Sequence, residues 1–143
     1  MARIKKIDHI GIVVFNLKES IRVHKDLLFQ EPTHYEVFDA TKVELAFFDI
    51  AGVQIELLSP TAPDSDIMPF LKEKGGGIHH ICYEVEGIHD ILNDLKKKGF
   101  KLIDETPRPG SRNSQIAFVD ATSTKGVYIE YCEFSNDRWE KGE

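Results

Sequence analysis

Apolar, β-branched residues dominate positions 7–15, and the run IDHIGIVVF, closed off by polar residues, reads as a strand. Leu17, Ile21 and Leu28 then recur at helical spacing behind Asn16, a suitable N-cap, which predicts a helix over 17–28. Stretches 34–39, 43–50 and 52–58 read as three strands, and Ala51-Gly52 leaves room only for a tight hairpin between the last two. The second half repeats this order. A strand over 78–86 leads to a helix over 88–98 that ends at Gly99, and strands follow near 100–105, 114–120 and 126–133. Between the halves, SPTAPDSD is a loop and IMPFLKEKGGG a short helix with a flexible exit.

The repetition is in the letters as well as the pattern. IDHIGIVVFNL (7–17) matches IHHICYEVEGI (78–88), and ELAFFD (44–49) matches QIAFVD (115–120), both 71 positions apart; GVQIE (52–56) matches GVYIE (126–130) at a spacing of 74. Three matched pairs in the same order imply an internal duplication, and two repeats are too few for an open solenoid. The expectation is an α+β fold: one domain over 1–143, made of two pseudo-symmetric βαβββ modules, about 6–60 and 77–134, joined by the loop and short helix and enclosing a groove.

Strand side chains alternate between faces, so the apolar sets mark the helix-packed sides. On this rule Ile10, Ile12 and Val14 face the helix and His9, Gly11 and Val13 face away; Val53, Ile55 and Leu57 oppose Gln54, Glu56 and Leu58; Val127, Ile129 and Tyr131 oppose Tyr128, Glu130 and Cys132. In 43–50 the same rule sets Leu45, Phe47 and Ile50 against Glu44, Ala46 and Phe48, and so sends Glu44 into the groove. A carboxylate in mid-strand among large apolar neighbours is costly unless paired or metal-bound. His9 with His80 and Glu56 with Glu130 are repeat-equivalent, and their economical explanation is convergence on one divalent cation. Mixed imidazole and carboxylate donors suit Zn, Fe, Co, Ni or Mn. His79 matches Asp8 and falls on the opposite face from His80, while His24, His34 and His89 read as surface residues.

Composition narrows the field. The chain is 41% hydrophobic and 29% charged, has no apolar run near the ~20 residues of a membrane helix, and starts without an apolar leader, so a soluble, cytoplasmic protein with no membrane partner is expected. A net charge of -6 argues against a nucleic-acid partner. Cys82 and Cys132, far apart in sequence, read as reduced thiols lining the groove.

The stretches IDHIGIVV, VQIELLSP, PDSDIMPFLKEKGGGIHHICYEV, LKKKGFKLIDETPRPG and IAFVD with GVYIEYCE resemble the vicinal oxygen chelate (glyoxalase/bleomycin resistance) superfamily, and among its members the methylmalonyl-CoA epimerases. The resemblance covers about residues 6–134 and implies the glyoxalase-like fold. It puts the metal on His9, Glu56, His80 and Glu130, and a catalytic base on Glu44. It also implies an isomerase acting on an acyl-CoA thioester through an enolate, with Glu130, or the neighbourhood of Gln54 through water, as a second proton carrier, in a homodimer. Glyoxalase I chemistry on a glutathione hemithioacetal, or a non-catalytic binding or resistance role, would fit the same fold. Three positions depart from the family pattern: Val23-His24 replaces an aromatic pair, Phe29 replaces a helix-ending glycine, and Gly110-Ser111-Arg112-Asn113 replaces a glycine-rich loop. Arg112 is either a clamp for a substrate carboxylate or a solvent-exposed loop residue.

Overall fold

The computed structural model describes residues 2–135. The chain forms two compact units: His9–His79, and the segment up to Asp8 together with the chain from His80 onward. In the first unit, β1 (Arg3–Val13, of which residues from His9 belong here) is followed by α1 (Leu17–Leu28), β2 (His34–Phe38), β3 (Val43–Ile50), β4 (Val53–Pro60) and α2 (Met68–Lys74). In the second, β5 (Gly77–Glu86) is followed by α3 (Ile88–Lys97), β6 (Arg108–Pro109), β7 (Ser114–Val119), α4 (Ala121–Thr124) and β8 (Tyr128–Phe134). The strand orders are β2-β3-β4-β1 and β6-β7-β8-β5, the same arrangement written twice. In each, the outer pairs are antiparallel and the last pair, β1 with β4 or β5 with β8, is parallel.

Local chemistry explains the elements. Asn16 caps α1 by accepting from the Glu19 N–H at 2.9 Å, and the helix stops at Phe29, held left-handed at φ 57°. Leu17, Ile21 and Leu28 of α1 pack on Ile12, Val14, Ala46, Phe48, Ile55 and Leu57. In the other unit, Ile88, Ile91 and Leu92 of α3 pack with Val85, Ala117 and Tyr131. α3 lacks a side-chain cap of its own, and Glu133 of β8 accepts from the Gly87 and Ile88 N–H groups at 2.9 and 3.1 Å instead. The hairpin at Ala51-Gly52 has positive φ at both residues (51° and 92°), as a two-residue turn between strands requires. Its counterpart in the second unit is the helical turn α4, closed by Lys125 at φ 64°; its three extra residues account for the step in spacing from 71 to 74.

One expected strand is missing. Residues 100–105 make only an isolated bridge, Leu102 to Val119, and regular pairing resumes at Arg108. The reason is Asp104. Ile103 and Asp104 both donate their N–H groups to the Phe118 carbonyl, at 2.9 and 3.3 Å, and the Asp104 carboxylate accepts from the Phe118 N–H at 2.9 Å in place of a strand carbonyl. Pro107 and Pro109 also lack the N–H that a ladder needs. β1, in contrast, starts earlier than expected, at Arg3, and along this added stretch Arg3 and Lys5 pair with Glu86 and Glu84 of β5 at 2.8 and 3.3 Å.

Candidate metal centre

Each unit carries one His–Glu pair, built in the same way. In the first, His9 on β1 and Glu56 on β4 are buried to 3% and 4% exposure, with His9 Nε2 3.4 Å from Glu56 Oε1. In the second, His80 on β5 and Glu130 on β8 are buried to 2% and 5%, with His80 Nε2 3.2 Å from Glu130 Oε1. Register fixes both pairs. Glu56 lies beside Gly11 on β1 and opposite Phe47 on β3, and Glu130 lies beside Cys82 on β5 and opposite Phe118 on β7. The phenyl ring of Phe47 meets His9 edge-on at 5.5 Å and 81°, and that of Phe118 meets His80 at 5.3 Å and 81°. Phe47 and Phe118 thus wall the imidazoles in. Alternation sets Phe47 on the helix-packed side, but its register opposite Glu56 puts it on the side of His9, and both phenylalanines sit inside the ELAFFD and QIAFVD match.

The donor geometry suits a metal. Two ligand atoms on one ion at ~2.1 Å lie ~3.0 Å apart in an octahedron and ~3.4 Å apart in a tetrahedron. The two nitrogen–oxygen separations, 3.4 and 3.2 Å, fall in that range. Cys82 and Cys132 lie on the same face as His80 and Glu130, packed with Ile116, Phe118 and Phe134. Burial pushes the Cys82 thiol well above its ordinary pKa, with the Cys132 thiol and the Glu130 charge adding to the effect, so it stays protonated at neutral pH.

Glu44 is not on this face. Across the β3–β4 ladder Glu44 opposes Ser59, Ala46 opposes Leu57, and Phe47 opposes Glu56. Glu44 therefore shares its side of the sheet with Ala46 and Phe48, the side that α1 covers, while Val43, Leu45 and Phe47 share the side of His9 and Glu56. The alternation rule fails here because Val43 and the whole run from Leu45 to Phe48 are buried, so neither face of β3 is polar. Glu44 accepts from the Tyr35 hydroxyl at 2.9 Å and from Ser59 Oγ at 3.4 Å. The hydrogen bond to Glu44 raises the Tyr35 pKa above its ordinary value, with burial and the Glu44 charge adding to it. Glu44→Gln should accordingly leave turnover within about threefold of wild type; steady-state rates settle it, and a ~10²-fold loss, the scale of a missing general base, would restore Glu44 to the mechanism.

Arg112 is neither solvent-exposed nor open to a ligand carboxylate. Its Nη2 donates to Asp8 Oδ2 at 2.5 Å, the two side chains are 12% and 3% exposed, and its guanidinium lies over the Phe134 ring at 5.1 Å. The His79 ring packs edge-on against Phe70 at 4.9 Å.

A model of the Glyoxalase/Bleomycin resistance protein/Dioxygenase superfamily matches residues 8–118. The chain belongs to this superfamily. Its relatives include the uncharacterized protein YqjC of Bacillus subtilis, 36% identical over 93% of this chain and 95% of that protein. The mitochondrial methylmalonyl-CoA epimerase of Dictyostelium discoideum is 35% identical over 89% of this chain and 77% of its own length. A Streptomyces coelicolor methylmalonyl-CoA epimerase variant, solved with 2-nitronate-propionyl-CoA, superposes with a TM-score of 0.86 at 28% identity, covering 94% of this chain and 97% of that one. The α+β glyoxalase-like fold implied by the resemblance is therefore that of this superfamily. Among the described residues no helix is long and apolar enough to cross a membrane.

Proposed function

We propose that this superfamily member is a divalent-metal-dependent epimerase of methylmalonyl-CoA. The observation that carries the reading is the duplicated buried His–Glu pair, with its donor atoms at ligand-to-ligand distance in both units; relatives named as epimerases support the substrate. His9, Glu56, His80 and Glu130 together would hold one ion, and their two carboxylates would balance its charge. When bound, the metal supplies Lewis acidity to the thioester and carboxylate oxygens that flank the substrate Cα. The remaining steps belong to side chains. Phe47 and Phe118 hold the two imidazoles by their edges and keep water from them. Inversion at Cα needs one proton carrier on each side of the planar enolate. Glu130, a carboxylate able to leave its partner and return, is the proposed first carrier.

The test is incubation of metal-loaded protein with one epimer of methylmalonyl-CoA in deuterated buffer. Inversion together with deuterium at Cα is the expected result. Inertness toward this thioester, with turnover of a glutathione hemithioacetal instead, would replace the epimerase by the lyase of the same superfamily.

A further inference from the structure

The His9–Glu56 face of the first unit carries another ionisable pair that the four-residue site does not use. His34 opposes Phe47, and Glu36 opposes Leu45, across the β2–β3 ladder. Both therefore point to the side of Val43, Leu45, Phe47, His9 and Glu56, while Tyr35 and Val37 point to the other side, where they are 56% and 44% exposed. His34 Nε2 and Glu36 Oε1 are 2.9 Å apart. The His34 ring also leans on Phe47 at 5.9 Å, so that one phenyl ring separates it from His9. His34, Phe47 and Glu56 form a row across three adjacent strands, which sets His34 about 10 Å from Glu56 along the backbone. Unlike His9 and Glu56, the pair is open: its side chains are 33% and 31% exposed. This is the arrangement of a proton carrier held by an orienting carboxylate. Nε2–H donates to Glu36, and the lone pair then sits on Nδ1.

The second unit gives an internal control. There the Phe118 ring is flanked by His80 on its edge and by Arg108, whose guanidinium lies at 5.7 Å and whose Nε donates to Asp104 at 2.9 Å. Each phenylalanine thus has a metal-site histidine and a basic group tied to a carboxylate. A guanidinium such as that of Arg108 has donors only, whereas the imidazole of His34 has both a donor and a lone pair. Only the first unit's basic group is fit to move a proton.

We propose that His34, oriented by Glu36, is the second proton carrier of the epimerisation, a step that rests on the function proposed above. In one direction His34 Nδ1 takes the Cα proton. The C–H electron pair passes into the enolate, and the imidazolium that forms is held by the Glu36 carboxylate; a proton from the other carrier to the opposite face completes inversion. In the reverse direction His34 returns its proton to Cα.

The decisive experiment compares inversion with deuterium wash-in at Cα for each epimer separately, on metal-loaded protein. His34→Gln should keep its metal and lose inversion by ~10²-fold or more, while wash-in without inversion persists for the epimer served by the other carrier. Glu36→Gln should fall in between, because the ring remains but is no longer oriented. Added imidazole should restore part of the inversion rate in His34→Ala. Inversion by His34→Gln within threefold of wild type would overturn the proposal, as would equal loss of wash-in from both epimers, the mark of a merely structural residue. A wild-type protein that inverts no methylmalonyl-CoA would remove the epimerase reading itself and this inference with it.

Discussion

Replacing His80 with alanine should take the protein from one divalent ion per chain to none after dialysis against metal-free buffer. The imidazole supplies one of the nitrogen donors, and its loss leaves Glu130 at 5% exposure beside an apolar void lined by Phe118. Changes just outside a metal's ligand shell already cost ~10–100-fold in affinity, so removal of a ligand should cost more than that. His9→Ala should do the same from the first unit, because the two pairs have the same geometry. Metal analysis of the purified variants gives the result directly. Retention of a full equivalent by either variant would show that the other unit's pair is sufficient and that the four residues do not act on one ion. Inversion of methylmalonyl-CoA should fall with the metal content, by a factor well beyond the ~10²-fold ascribed above to a single proton carrier.

Those four residues were legible because the chain contains its own comparison. A histidine or glutamate in one strand says little, but His9 with His80 and Glu56 with Glu130 stand at matching places in duplicated segments, and the structure pairs them as His9–Glu56 and His80–Glu130. The helices were legible for a different reason. Asn16 and the spacing of Leu17, Ile21 and Leu28 are local signals, and α1 spans the expected residues, 17–28. Failures came where local signals meet tertiary contacts. β3 is buried on both faces, so its alternation carries no information, and register set by the Ala51-Gly52 hairpin put Glu44 under α1's side of the sheet. The strand expected over 100–105 gave way to a carboxylate, Asp104, that accepts a backbone bond from across the chain. His34 looked like a surface residue on its own. The His-x-Glu spacing, which in a strand puts both groups on one face, is the sequence signal of its pairing with Glu36, and the Phe47 register shows which face that is.

Asp8 is where the duplication breaks, and it carries the largest stability effect expected of a single substitution. Its repeat-equivalent, His79, packs on Phe70, whereas Asp8 holds Arg112 in a pair almost closed to solvent. Arg112 sits in a left-handed conformation at φ 54°, in the three-residue turn that leads into β7, with Phe134 beneath its guanidinium. Breaking a buried pair from one side removes the main compensation of a buried charge and costs about 3–5 kcal/mol, whereas replacing both members with apolar groups of similar volume is often close to neutral. Asp8→Ala should therefore lower Tm by on the order of 10 °C, at about 3 °C per kcal/mol for a chain of this length. Arg112→Met alone should be comparably damaging, because it takes the guanidinium from the 3%-exposed Asp8 carboxylate. The double change, Asp8→Leu with Arg112→Met, should recover most of the loss. A double-mutant cycle from urea melts measures the coupling. A value of ~2 kcal/mol or more is expected for groups this enclosed, against the ~0–1 kcal/mol of exposed pairs. A coupling near zero would mean that water reaches the pair, and Arg112 would again be open to a ligand carboxylate. Because the pair lies outside the four-residue metal set, the double variant should also keep its metal, and an unchanged KM for methylmalonyl-CoA in that variant marks a structural clamp, where a raised KM would mark a substrate clamp.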